Sequence, residues 1–89
     1  MWDWDEDKRL ANLAKHGVDF AQLTGFDVGA AIIEPDDRRD YGEPRFEATG
    51  MIGDRLHVLI FTPRGGRVRV ISLRKANSRE EARWASRKR

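Results

Sequence analysis

The stretch Arg67-Val68-Arg69-Val70-Ile71-Ser72-Leu73-Arg74-Lys75 alternates cations with β-branched residues and closes on two adjacent cations. Such alternation is the pattern of a half-buried strand, with Val68 and Val70 toward a core and Arg67 and Arg69 on the other face, about 7 Å apart. Guanidinium groups stay charged and offer forked donors that match phosphate oxygens. A row of them on an open sheet face suits a polyanion, although the same pattern also fits an ordinary solvated face. If Arg45, Glu47, His57 and Phe61 share that face, the set matches cleavage of RNA without a metal. A base removes the 2′-hydroxyl proton, fixed cations stabilise the charge on the phosphorane, and an acid protonates the departing 5′ oxygen. Arg45, Arg69 and Arg74 are the candidate charge-stabilising groups. Glu47, His57 or His16 are the candidate proton movers, and Phe61 is a ring on which a base can stack. Each also has a plainer role open to it: His57 as a cross-strand filler, Glu47 as the ion-pair partner of Arg45 or Arg55, and Phe61 as a ring covered by a C-terminal helix.

Composition limits what can surround these groups. The 89 residues, 39% hydrophobic and 36% charged, are enough for one domain, residues 1–89, with a modest core. No apolar run is long enough to cross a bilayer. The acidic start Met1-Trp2-Asp3-Trp4-Asp5-Glu6-Asp7 lacks a signal-peptide core, so a cytoplasmic location with no membrane partner is expected. With no cysteine and only two histidines, a disulfide framework and a thiolate metal site are excluded and zinc is a poor fit. Neither a metal nor a cofactor is expected. The net charge of +2 conceals a gradient. Residues 1–47 carry 12 acidic and 6 basic side chains, whereas residues 67–89 carry 9 basic side chains against Glu80 and Glu81. Such a basic pole attracts a nucleic acid or an acidic protein.

The elements that must position the site can be read in order. Asp3 with Glu6 has capping-box spacing, and Leu10, Leu13 and Ala14 form an inward stripe. Lys15 and His16 then fall in the last turn before the stop at Gly17. A second short helix is expected from the cap Asp19, with Gln22 closing the box and Phe20 and Leu23 inward. From there the period changes to two. Residues 28–34, 45–51, 55–62 and the Arg67 stretch read as strands, joined by turns short enough to force an antiparallel meander. Residues 35–40 form a polar loop. If Leu56, Val58 and Ile60 lie beside Val68 and Val70, the open face gathers Arg45, Glu47, His57, Phe61, Arg67 and Arg69, with Phe61 opposite Arg69. The consecutive apolar pair Val70-Ile71 breaks the alternation. A β-bulge there turns Ser72 and Arg74 onto the face of Arg69; without one, Arg74 points away. Asn77 or Ser78 caps a last helix whose small apolar set, Ala82, Trp84 and Ala85, docks weakly, and whose Arg79, Arg83 and Arg87 form a basic stripe.

Several of these residues carry a resemblance. Trp4-Asp5, Lys8, Asn12, Lys15-His16-Gly17-Val18, Phe20, Gly42-Glu43 with Arg45, and Arg67 through Ala76 are similar, in this order over nearly the whole chain, to the BrnT toxins. The resemblance implies a RelE-like α+β fold, with two N-terminal helices packed on a four-stranded antiparallel sheet and a C-terminal helix after it. It implies a type II toxin that cleaves RNA and inhibits translation. The implied partner is a BrnA-like antitoxin with a ribbon-helix-helix DNA-binding part, through which the complex binds its operator. It also adds Lys15, His16 and Lys75 to Arg45, Arg69 and Arg74 as residues of the site, so that Lys15, His16, Phe61, Arg67 and Lys75 are the expected substrate contacts. Trp84 stands where the family often has a tyrosine. Two other readings fit the chain: a toxin of the same fold acting on DNA gyrase, and a non-catalytic basic module that binds nucleic acid or protein.

Overall fold

A computed structural model describes residues 1–88. Strand β1 (Trp2–Asp3) leads into helix α1 (Glu6–His16) and a 3₁₀ helix (Phe20–Gly25). Strands β2 (Ile32–Pro35), β3 (Phe46–Ile52), β4 (Arg55–Arg64) and β5 (Arg67–Lys75) follow, and helix α2 (Ser78–Arg87) comes last. The sheet order is β1-β5-β4-β3-β2. Strands β2 to β5 form an antiparallel meander, while β1 lies parallel to β5, with Trp2 beside Val68 and Asp3 beside Arg69. Among the described residues, no helix is long and apolar enough to cross a membrane.

This arrangement corrects the expected two helices on a four-stranded antiparallel sheet. The sheet is mixed and has five strands, because the chain stays extended through Asp3. The cause is aromatic: the Trp2 ring packs edge-on against Phe26 at 6.3 Å and the Trp4 ring against Phe20 at 5.9 Å. Burying two indoles outweighs one more turn of a polar helix. The cap of α1 is therefore Asp5, whose side chain accepts from the Asp7 N–H at 3.0 Å, and not Asp3. Gly17, at φ 70°, ends the helix as anticipated. The second element is a 3₁₀ helix and not an α-helix, though Asp19 and Gln22 do close a capping box and Phe20 and Leu23 are buried. Strand β2 begins at Ile32, because residues 28–30 are held in a turn in which Asp27 accepts from the Ala30 N–H at 3.3 Å.

The sheet is packed on both faces. On one, Val18, Phe20, Leu23 and Phe26 cover Ala48, Leu59, Val70 and Leu73. On the other, Trp84 of α2 packs with Leu56, Val58, Met51 and Ala76. Gly50 lets the Phe26 ring lie on β3, since a Cβ there would stand 2.8 Å from Phe26 Cζ. Strand β4 is buried without interruption from Leu56 to Ile60. Alternation therefore cannot say which of its faces meets Val68 and Val70. The expected match was one residue off: Phe61 pairs with Val70, Leu59 with Leu73, and Ile60 with Ser72. The register shifts between Ile60 and Phe61, so Ile71 is the extra residue of a β-bulge. Beyond it, Leu73 returns to the core of Val70, while Ser72 and Arg74 join Arg69 on the α2 side of the sheet.

Below β1, the outer edge of β5 has no strand partner. Asn12 of α1 takes that place. Its Nδ2 donates to the Leu73 carbonyl at 2.8 Å and to the Val18 carbonyl at 3.0 Å, and its Oδ1 accepts from the Leu73 N–H at 3.1 Å. The amide thus mimics a strand backbone and closes a buried edge. Asn12→Ala leaves three buried backbone groups without partners and should lower unfolding free energy by roughly 3 kcal/mol. Urea denaturation at neutral pH measures this, and Asn12→Asp should not restore it.

Candidate nucleic-acid interface

The bulge at Ile71 builds the site. It brings Arg69 and Arg74, five positions apart, onto one face with Ser72, opposite Thr62, Val58 and Ile60 of β4. Neither arginine is bare. Arg74 donates from Nη1 and Nη2 to the two carboxylate oxygens of Glu80, each at 2.8 Å. Glu80 also accepts from the Asn77 N–H at 2.9 Å as the third residue of α2, so the helix cap fixes the arginine. This pairing lowers the Glu80 carboxyl below its ordinary range and raises Arg74, with burial opposing both. Arg69 donates through Nη1 alone to Asp3, at 3.0 Å. Both arginines are partly exposed, so these pairs orient the side chains more than they stabilise the fold.

The loop between β2 and β3 adds groups that spacing did not reveal. Asp36 is buried, with its N–H donating to the Arg45 carbonyl at 2.8 Å, and it holds Arg38 through two bonds of 2.7 and 3.0 Å. The Arg45 guanidinium lies over the Tyr41 ring, 4.0 Å from its centre. Its Nε is buried without a hydrogen-bond acceptor, 3.7 Å from a Glu43 oxygen. Glu47 faces Ile60 on the Arg74 side of the sheet, and its charge acts on both Arg38 and Arg74. Nothing in the sequence marks Arg38 as lying in the field of Arg74, or Asp36 and Tyr41 as the partners of Arg38 and Arg45. Glu80 was within reach of inference, since its capping position puts it beside the end of β5.

The remaining candidates divide. His16 ends α1, and its imidazole is less basic than usual through burial, then Lys15, then Arg74. It therefore lies within the field of the Arg74 charge. Lys15 is exposed beside it. Arg67 and Lys75 are exposed at opposite ends of β5, and Lys75 pairs across the sheet with His57. His57 and Phe61 are not on the arginine face. Phe61 stacks on Phe46 at 5.6 Å, packed against the opposite core. His57 is 2% exposed, its Nδ1 lies 2.9 Å from the Arg55 carbonyl, and its Nε2 is buried without a partner. The expected gathering of His57 and Phe61 with the arginines is therefore corrected, because the bulge and the one-residue change of register carry the two sets to opposite faces. The basic stripe of α2 is also partly spent inward: Arg83 and Arg87 lie 3.9 and 3.6 Å from Glu34.

A sheet face with two forked cations ordered by a bulge, beside an imidazole of lowered basicity, belongs to a domain suited to a phosphodiester. Among the described residues, no group of three or more His, Asp or Glu side chains is arranged to hold a metal ion. The family model described as the ribonuclease toxin BrnT of the type II toxin-antitoxin system matches residues 4–80. The chain belongs to this family of ribonuclease toxins, and an antitoxin partner follows from that type of system. No curated protein sequence matches the chain.

His57 makes a separate claim on stability. Burial lowers its basicity from the ordinary 6.5, so the folded chain keeps it neutral where the unfolded chain begins to take up a proton. Unfolding then binds protons, and stability falls as pH drops below about 6.5. His57→Gln should flatten this decline in thermal melts at successive pH values, leaving the smaller contribution of His16, which has the same sign.

Proposed function

We propose that the chain is a metal-independent endoribonuclease that cleaves RNA and so inhibits translation. The observation that carries this reading is the placement of Arg69 and Arg74 on one face of the sheet, with His16 within the field of Arg74. His16, neutral at pH 7, takes the 2′-hydroxyl proton; the 2′ oxygen attacks phosphorus; Arg69 and Arg74 meet the charge that builds on the phosphorane. The bond from phosphorus to the 5′ oxygen then breaks, the 5′ oxygen takes a proton from water, and a 2′,3′-cyclic phosphate remains. Lys15 and Arg67 hold the RNA on either side, and Arg45 with Glu47 flanks the floor. Lys75, expected as a substrate contact, pairs with His57 and so stands on the opposite face of the sheet. His57 and Phe61 support the sheet from behind and take no part. The reaction occurs in the cytoplasm, where the RNA is. The partner is a BrnA-like antitoxin with a ribbon-helix-helix part, and the complex of the two binds operator DNA; this rests on the family.

Incubating the purified chain with RNA in EDTA should yield fragments ending in 2′,3′-cyclic phosphate. Arg69→Ala and Arg74→Ala should each lower kcat/KM by about a hundredfold or more without changing the fold. RNA left intact by folded wild-type protein defeats the proposal.

The base leaves its own signature. Activity should fall with acid along a limb centred below pH 6.5, the ordinary imidazole value. Lys15→Ala removes a positive neighbour and should move that limb upward, whereas a limb that stays in place would rule out His16 as the base.

A further inference from the structure

Arg38 stands apart from the sequence-derived site, yet its setting is unusual for a loop residue. The Asp36 carboxylate beneath it is nearly inaccessible, with 2% of its side chain exposed, while 67% of the Arg38 side chain is open. Asp36 is also fixed by its backbone: its N–H donates to the Arg45 carbonyl, one step beyond the pairing of Pro35 with Phe46. A buried carboxylate on the end of a ladder is a rigid base. It engages Arg38 through Nε and Nη2 and leaves Nη1 outward. The guanidinium is thus held in one orientation while its free edge meets solvent, which lowers the entropy lost when that edge binds an anion.

Its position argues for a phosphate other than the one being cleaved. Arg69 and Arg74 stand on β5, whereas Arg38 follows Asp36 at the end of β2, three strands away. Three strand spacings are about 14 Å. Even so, the charges of Arg38 and Arg74 act on one another, and Glu47 lies in the field of Arg38. The two forks therefore border one surface without converging on one point. Glu47 between them disfavours a third phosphate, so a bound strand is gripped at two separated places.

We propose that Arg38, braced by Asp36, is a second phosphate-binding residue, which grips the backbone of single-stranded RNA at a phosphate flanking the scissile one. This rests on the ribonuclease reading of the arginine face. The probe is a mixed-sequence RNA oligonucleotide carrying 2′-O-methyl groups throughout, which binds but cannot be cleaved. Its affinity is measured across a salt series, beside kcat and KM on the unmodified RNA. Arg38→Gln should weaken binding about fivefold and reduce the slope of log K against log salt by about 0.7, one phosphate contact on a single strand. KM should rise by a similar factor with kcat within twofold. Arg38→Lys keeps the charge and should keep the slope. Should Arg38→Gln fold poorly over an unpaired Asp36, the double variant Asp36→Asn/Arg38→Gln removes both charges and is held to the same outcome. An unchanged slope in a folded variant, or a loss confined to kcat, overturns the inference while leaving the ribonuclease reading intact. Wild-type protein that neither binds nor cleaves RNA overturns both.

Discussion

The arrangement of the whole site depends on one extra residue in β5. Without the bulge at Ile71, strict alternation would put Leu73 on the α2 side and Arg74 among Phe20, Leu23 and Leu59, where a guanidinium has no partner. With it, two apolar residues three apart, Val70 and Leu73, both enter the first core, and two arginines five apart share the other face. The same insertion displaces the outer edge of β5 just below β1, where Asn12 of α1 supplies the missing hydrogen bonds to Leu73. Core, edge and site are therefore coupled: the bulge cannot be removed without burying a charge, and Asn12 pins the residue that follows it.

How far the sequence disclosed this can be judged from particular residues. Gly17 and the Asp19–Gln22 box are local devices, legible because the hydrogen bonds that satisfy them span three or four residues. The last cap, by contrast, was open between Asn77 and Ser78, with Ser78–Glu81 also at box spacing, and the box that forms is Asn77–Glu80. The meander of β2 to β5 was legible from short turns. The Val70-Ile71 irregularity was visible, and both its outcomes could be stated, but the choice needed the position of Leu59. The partition of His57 and Phe61 was not legible, because β4 is apolar on both faces and its pattern carries no sign of direction. Strand β1 was missed for a related reason: Asp3 satisfies a capping rule, and the alternation of Trp2 and Trp4 is too short to outvote it until their partners Phe26 and Phe20 are in place.

The charge gradient along the chain was read correctly but does not survive as a bare pole in space. The acidic first half supplies Asp3 to Arg69, Glu34 to Arg83 and Arg87, and Glu43 to Arg64. Within the basic end itself, Glu80 serves Arg74 and Glu81 lies 3.4 Å from Arg55. The folded surface is thus a mosaic of ion pairs, and its long-range pull on a polyanion is weaker than the sequence count implies.

That mosaic bears on selectivity. A guanidinium already bonded to a carboxylate gains little by exchanging it for a phosphodiester of the same single charge, since one ion pair replaces another and the carboxylate loses its partner. A phosphorane carries more charge than the ground-state diester, so it competes better for Arg74 than the substrate does. On the ribonuclease reading, the Glu80 pairing therefore holds back ground-state binding more than transition-state binding, and the difference raises turnover rather than affinity. Arg69, bonded to Asp3 through one nitrogen only, retains free donors and can meet the phosphate in both states. On that reading the two arginines differ in role because a helix cap stands beside one and a two-residue strand beside the other.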